Sequence, residues 1–256
     1  MLTVLKLGGS VLRDDRSYAA SARFLQQRLA LAPQERLVVI VSAQYGATDA
    51  LHAEAQIIAN DPCQLALDLL WSTGELRSVA LLALHLQRIG VSAVPFNVHQ
   101  TGLVADREAG TTVRPMRLLA ALAHARIVIV PGFLGVSPGG AVTSLGRGGS
   151  DLTAVLLAAA IRADACELIK DVPGYFTADP HRDAAAQPIH DLGIDEALRM
   201  ADGGCDLVQR AALAAAAHAD LHLVIRSMDA AAPVSHVHSR SSHGVRHQDH
   251  SRRAAV

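Results

Sequence analysis

Six short aliphatic runs set the strongest limit on the fold: Leu2–Leu7, Leu37–Ser42, Ser92–Phe96, Ile127–Val130, Glu167–Lys170 and His222–Ile225. Most are apolar throughout rather than at alternate positions. Ala/Leu-rich stretches of helical length separate them: Ser17–Ala32, Gln64–Ile89, Pro115–His124, Asp151–Ala163 and Asp195–Ala219. Strands buried on both faces and joined by helical crossovers belong in a parallel sheet covered on each side by helices. The predicted class is α/β. Pro115 is expected at the first position of its helix, where a missing N–H costs nothing.

Composition supports a large buried core, because half of the 256 residues are hydrophobic and only 18% are charged. A formal net charge of −1 gives no electrostatic reason to expect nucleic acid or an anionic membrane as partner. Cys63, Cys166 and Cys205 are far apart and odd in number, so they form neither a disulfide framework nor a metal-spaced set. No signal peptide and no membrane span are read from the sequence, and a cytoplasmic protein without a metal site of its own is expected. After Ser227 the composition shifts to Ser, His and Arg without apolar period, so 228–256 is expected to be a disordered tail.

Chemistry-bearing residues collect where strands end. Lys6-Leu7-Gly8-Gly9-Ser10 leaves the first strand with a cation and two glycines, suited to an anion site, although a plain turn with a surface lysine reads the same way. Val41–Asp49 puts small hydroxyls and Gly46 at the second strand exit, where α/β sheets bind ligands; Thr48 or Asp49 as an N-cap is the structural alternative. Gly74 beside Glu75, inside the apolar stretch Gln64–Ile89, invites a packing or binding explanation, since glycine costs about 1 kcal/mol against alanine in a helix.

The most specific block runs from Gly132-Phe133-Leu134-Gly135 through Gly139-Gly140 to Thr143-Ser144-Leu145-Gly146-Arg147-Gly148-Gly149-Ser150-Asp151. A helix start with glycine-freed N–H groups and a guanidinium is a phosphate or carboxylate cradle. Neither GxxxxGK[ST] nor GxGxxG occurs. Finally, Lys170–Pro180 is a strand exit with a Pro173-Gly174 turn and the aromatic pair Tyr175-Phe176, able either to wall a nucleobase or to pack in the core.

In this order the five blocks resemble the amino-acid kinase family, and within it the aspartokinase catalytic domain. Lys6–Ser10 is similar to the KxGGS/T opening, Val41–Asp49 to VSAxxGxTD and Thr73–Ser78 to the GE-containing helix. Gly132–Ala154 is similar to the GFxG…TTLGRGGSDxTA run, and Lys170–Pro180 to the (T/K)DVDGVYTADP loop. The resemblance spans residues 1–227. It implies a three-layer α/β/α sandwich, with an acid-substrate site in the N-terminal part and an ATP site in the C-terminal part. It also implies Mg²⁺ on the ATP phosphates and a homodimer.

Carried over by position, the resemblance implies that Lys6 stabilises the transferring phosphoryl group and that Asp151 fixes Lys6. Gly8, Gly9, Ser10, Gly148, Gly149 and Ser150 would hold phosphate. Ser42 and Thr48 would line the acceptor crevice, Glu75 would take the acceptor's amino group, and Arg147 would clamp a carboxylate. Lys170, Asp171, Phe176, Asp179 and Arg182 would surround the nucleotide. The activity implied is phosphorylation of a small amino acid's carboxylate, first of all aspartate.

The chain departs from that pattern in four places, the mildest being Pro173 in place of the nucleotide loop's usual acid. Where aspartokinases read GAKVLHPR, Gly204–Arg210 aligns Asp206 with the phosphate-contacting lysine and Gln209-Arg210 with His-Pro. The nucleotide loop has His181-Arg182 where Arg is expected directly after Asp-Pro. The ACT domains that usually follow would begin where this chain stops, so feedback through them is not expected. These departures leave two alternatives open: a kinase of another small acid, phosphate or phosphonate, and a nucleotide-binding pseudokinase.

Overall fold

The computed structural model describes residues 1–106, 110–146, 148–180 and 182–239. Its strands are β1 (Leu2–Leu7), β2 (Arg36–Val41), β3 (Val94–Pro95), β4 (Leu103–Asp106), β5 (Gly110–Val113), β6 (Ile127–Pro131) and β7 (Leu134–Val136). They continue as β8 (Val142–Ser144), β9 (Ala165–Ile169), β10 (Tyr175–Phe176), β11 (Pro188–Ile189), β12 (Asp191–Gly193), β13 (Leu223–Arg226) and β14 (Ser235–His238). The helices are α1 (Asp15–Leu31), α2 (Ala47–Ile58), α3 (Gln64–Arg88), α4 (Met116–His124), α5 (Gly149–Ile161), α6 (Ile194–Asp202) and α7 (Arg210–His218).

The predicted sheet is present. Eight strands run in the order β12-β14-β13-β9-β1-β2-β6-β3, parallel throughout except for the β13–β14 pair. Alternate side chains of the inner strands feed two cores. Val4, Val38, Ile40, Val128 and Leu168 pack with α4, α5, α6 and α7, whereas Leu5, Leu7, Val39, Ile129 and Ile169 pack with α1 and α3. The result is the expected three-layer sandwich. A four-stranded sheet, β5-β4-β7-β8, and the β10–β11 pair are additions that the sequence patterns did not show.

Three expectations change. The single helix over Asp195–Ala219 is two, α6 and α7, because Gly203 and Gly204 interrupt it and Gly204 has φ +95°, a conformation side chains resist. Pro115 sits one residue before its helix, as the cap. Order also continues past Ser227. Ser235 and Val237 point inward from β14, which lies between β12 and β13, and Ser235 accepts the Tyr175 N–H at 2.8 Å. Four residues of alternating polarity inside a polar segment are too short to show as a strand by pattern. Residues 240–256 of the expected tail lie outside the described residues.

At the N-terminal edge of the inner strands, the Arg28 guanidinium of α1 grips two buried carboxylates. It bonds both oxygens of Glu167 at 2.7 Å and both of Glu35 at 2.8 and 2.9 Å, while Thr3 donates to Glu35 at 2.7 Å. Burial would raise the Glu35 carboxyl, but Arg28 and Thr3 outweigh it and hold it below the ordinary value. Removing the cation leaves two buried acids without a partner. Arg28→Ala should therefore lower the unfolding free energy by about 3–5 kcal/mol in a urea titration at pH 7. The folded Glu35 acid is the stronger one, so its contribution is present at neutral pH and fades as pH falls below the unfolded-chain value. The deficit of the variant should accordingly shrink toward pH 3.

Candidate active site

The sheet's strands present their C-terminal ends to one crevice, and the site is assembled there from loops the sheet places side by side. A cavity of about 690 Å³ lies between the β2–α2 connection, α3 and the N-terminus of α5. Of the residues expected from sequence, Gly9, Ser42, Thr48, Glu75, Gly148, Gly149 and Ser150 line it. Gly148 is the N-cap of α5 with φ +75°, and no side chain caps that helix. Its first turn thus faces the cavity with small residues, an arrangement that favours an anion. Arg147 lies outside the described residues.

Beside the cavity is a compact charge cluster. Asp151, in the first turn of α5, meets Lys6 Nζ through Oδ1 at 2.8 Å and Lys170 Nζ through Oδ2 at 2.7 Å. All three side chains are at most 11% exposed. Burial alone would raise the Asp151 carboxyl, but the two ammonium groups hold it far below the carboxylate range. Burial, reinforced by Lys6, lowers Lys170 to about 8, with Asp151 opposing. Two cations against one anion leave the cluster one positive charge, which suits phosphate oxygens. Lys6 Nζ lies over Gly8: a Cβ there would stand 3.1 Å from it.

Ser10 and Asp171 are also brought together, Ser10 Oγ donating to Asp171 Oδ1 at 3.0 Å, with Arg13 3.6 Å from the other Asp171 oxygen. Phe176, Asp179 and Arg182 do not line the cavity. Phe176 is in β10, and Asp179 pairs at 3.4 Å with a largely exposed Arg182 beyond it. Tyr175 is a core residue, as the plainer reading of that aromatic pair held.

Glu75 is the sharpest polar feature of the cavity. It is 2% exposed, and Oε1 accepts a long Ala43 N–H bond at 3.3 Å. Oε2 is buried without a hydrogen-bond partner among the described residues. Burial raises the acid to about 7, with the Ala43 N–H opposing. The neighbouring Gly74 is explained by packing, since a Cβ would meet that of Ala43 at 3.1 Å.

Sequence reasoning missed four residues of this site. Trp71 lies one helical turn before Glu75, so the i, i+4 relation within α3 was the signal for it. His52 lies on α2, a helix that the sequence offered only through the alternative N-cap reading of Thr48 or Asp49. The rings of His52 and Phe133 flank Trp71, with centroids 5.8 and 5.9 Å away, and Phe133 is held at φ +69°. His52 Nδ1 and Trp71 Nε1, like Glu75 Oε2, are buried without hydrogen-bond partners among the described residues. Native interiors satisfy such atoms, so three of them around one cavity mark where a ligand completes the bonding. The fourth is Gln209. Its backbone N–H reaches Asp151 Oδ2 at 3.4 Å, and its side chain covers Gly148.

Comparison with known proteins agrees with this geometry. The profile of the Amino acid kinase family matches residues 1–227. An aspartokinase of Thermus thermophilus is 38% identical over 231 residues, 88% of this chain and 56% of that protein. That of Geobacillus stearothermophilus is 40% identical over 195 residues, 75% of this chain and 48% of that protein. The chain thus spans about half the length of these relatives. Aspartate kinase from Synechocystis superposes with a TM-score of 0.82 at 34% identity, covering 93% of this chain and 40% of that one. E. coli aspartokinase III in complex with aspartate and ADP gives 0.78 at 25% identity, covering 93% and 65%.

Trp71 is the chain's one tryptophan, so its fluorescence reports on this cavity alone. A ligand that enters should shift or quench the emission in a saturable titration. A ligand bound elsewhere should leave it unchanged.

Proposed function

The chain belongs to the amino acid kinase family, and on that premise we propose that it transfers the γ-phosphoryl group of ATP to the side-chain carboxylate of aspartate. The observation that carries the reading is the buried Lys6–Asp151–Lys170 cluster beside a cavity whose wall presents the half-satisfied acid Glu75. Relatives named aspartokinase at 38% and 40% identity support the choice of acceptor.

The division of labour follows from the charges. Glu75, when ionised, takes the acceptor's ammonium group and turns its reacting carboxylate toward Gly9 and the α5 N-terminus. That carboxylate is already charged at pH 7, so no strong general base is needed. One of its oxygens forms the new bond to the γ-phosphorus as the bond to the β,γ-bridging oxygen breaks. ADP leaves with that electron pair, and the acceptor becomes an acyl phosphate. Lys6 meets the charge that develops on the phosphoryl oxygens, and Asp151 fixes its position.

ATP fits the residues present, because the positive cluster and the uncapped, glycine-rich start of α5 call for an anion. Among the described residues no group of three or more His, Cys, Asp or Glu is arranged for a metal ion. Mg²⁺ would therefore be held chiefly by the phosphate oxygens, where it offsets their charge. The same reading carries a homodimer, for which exposed Ile57, Ile58, Leu65 and Leu69 supply apolar surface. No helix among the described residues is long and apolar enough to cross a membrane.

Hydroxylamine trapping with ATP, Mg²⁺ and a panel of small acids tests the activity. Aspartate should give the hydroxamate, and Lys6→Ala should lower kcat by about 10²–10³. No hydroxamate from any acid would sink the carboxylate-kinase reading. Because burial raises the Glu75 acid to about 7, kcat/KM for aspartate should fall about tenfold per pH unit below that value. Glu75→Gln should lose this acid limb along with about a hundredfold or more of kcat/KM. A limb that survives the substitution belongs to another group.

A further inference from the structure

The positive cluster contains one more lysine than the phosphoryl-positioning role given to Lys6 uses, and the segment expected to supply a second cation does not supply one. Between Asp202 and Arg210 the single cation is Arg210, and its Nε is bound to Asp202 Oδ1 at 2.5 Å on the surface. Asp206, aligned with the phosphate-contacting lysine of aspartokinases, is exposed. We propose that Lys170 is a catalytic residue, the second cation on the ATP phosphates, and that it supplies from the end of β9 the charge which Asp206 does not provide.

Geometry carries this assignment. β9 lies beside β1 in parallel register, with Lys6 opposite Leu168, so the two lysines leave neighbouring strand ends on the same sheet face. The Lys170 backbone is pinned by its N–H bond to Arg226 O at 2.9 Å. Asp151 takes one of three ammonium donors and leaves the others for a ligand. Position 206 is close enough for an exchange: it is three residues from Gln209, whose N–H touches Asp151. Three residues span at most about 10 Å, a gap that a lysine side chain at 206 could narrow. The lowered affinity of Lys170 for its proton agrees with a cation held beside Lys6 until an anion arrives.

The inference rests on the kinase reading, so its test separates the two. Calorimetry would measure MgATP and adenosine binding to the full chain and to Lys170→Met, Asp206→Lys and the double variant. Thermal melts would confirm that each is folded, and Lys170→Arg would serve as the conservative substitution. Lys170→Met should weaken MgATP binding about tenfold or more while adenosine binding changes by less than about twofold. Lys170→Arg should keep most of the MgATP affinity, and adding Asp206→Lys to Lys170→Met should recover at least part of the loss. In the trapping assay the same series should show kcat falling by about 10²–10³ and then recovering.

An unchanged ratio of MgATP to adenosine affinity in folded Lys170→Met overturns the role of Lys170. Absence of any recovery in the folded double variant overturns the exchange with position 206. A wild-type chain that binds MgATP but phosphorylates no acid overturns the proposed reaction, and the affinity ratio still judges Lys170. A wild-type chain that binds no nucleotide overturns both.

Discussion

The two-sided ion pair of Asp151 is the interaction on which the site depends. A buried carboxylate is tolerated only when its charge is met, and here two strands and one helix must be in register to meet it. Lys6 arrives from β1, Lys170 from β9, and Asp151 from the first turn of α5. The same first turn brings Gly148, Gly149 and Ser150 to the cavity wall, so placing the carboxylate also places the anion-facing end of the helix. Tight backbone approach enforces this. A Cβ on Gly132 would lie 2.7 Å from Ser150 Oγ, and one on Gly149 would lie 3.0 Å from Leu145 Cβ. The glycines of this block therefore serve packing as much as ligand access.

The two ends of the site are chemically distinct. Around Asp151, opposite charges are already paired and one positive charge remains. At the cavity wall, Glu75 is buried with no cation beside it among the described residues, and burial raises it to about 7. An incoming ammonium group would reverse that balance, because the ionised acid gains the partner it lacks. The Trp71, His52 and Phe133 rings line the same cavity, and their apolar surface strengthens the pairing once it forms.

Much of this was legible in the sequence because it rests on short-range pattern. Uniformly apolar runs gave the inner strands, with β1 matching its predicted bounds, and glycine-rich strand exits marked the crevice. Other elements depend on contacts that pattern does not record. α2 is mostly exposed and begins after a left-handed Gly46 rather than a side-chain cap at Thr48 or Asp49. β14 is recognisable only from its neighbours, and β10 is two residues long. His52 and Trp71 became site residues only when α2 and α3 folded against each other. Phe176, Asp179 and Arg182, which the motif gives to the nucleotide, lie outside the cavity lining, as do Lys6, Asp151 and Lys170.

One relation joins the stability of the fold to the geometry of the site. Lys6 shares its sheet face with Val4, and Lys170 continues the face of Cys166 and Leu168, all turned toward α5. Thr3 and Glu167 are on the opposite face, turned toward α1, where Arg28 closes its network. Each charged cluster therefore draws on β1 and β9, one cluster on each face and at each end. A one-residue slip of either strand would send its side chains to the wrong layer. It would leave Glu167 or Lys170 buried without a counter-charge, a cost of several kcal/mol per ion. The Arg28 network thus opposes the slip that would dismantle the lysine pair, although it lies at the far end of the strands from the cavity.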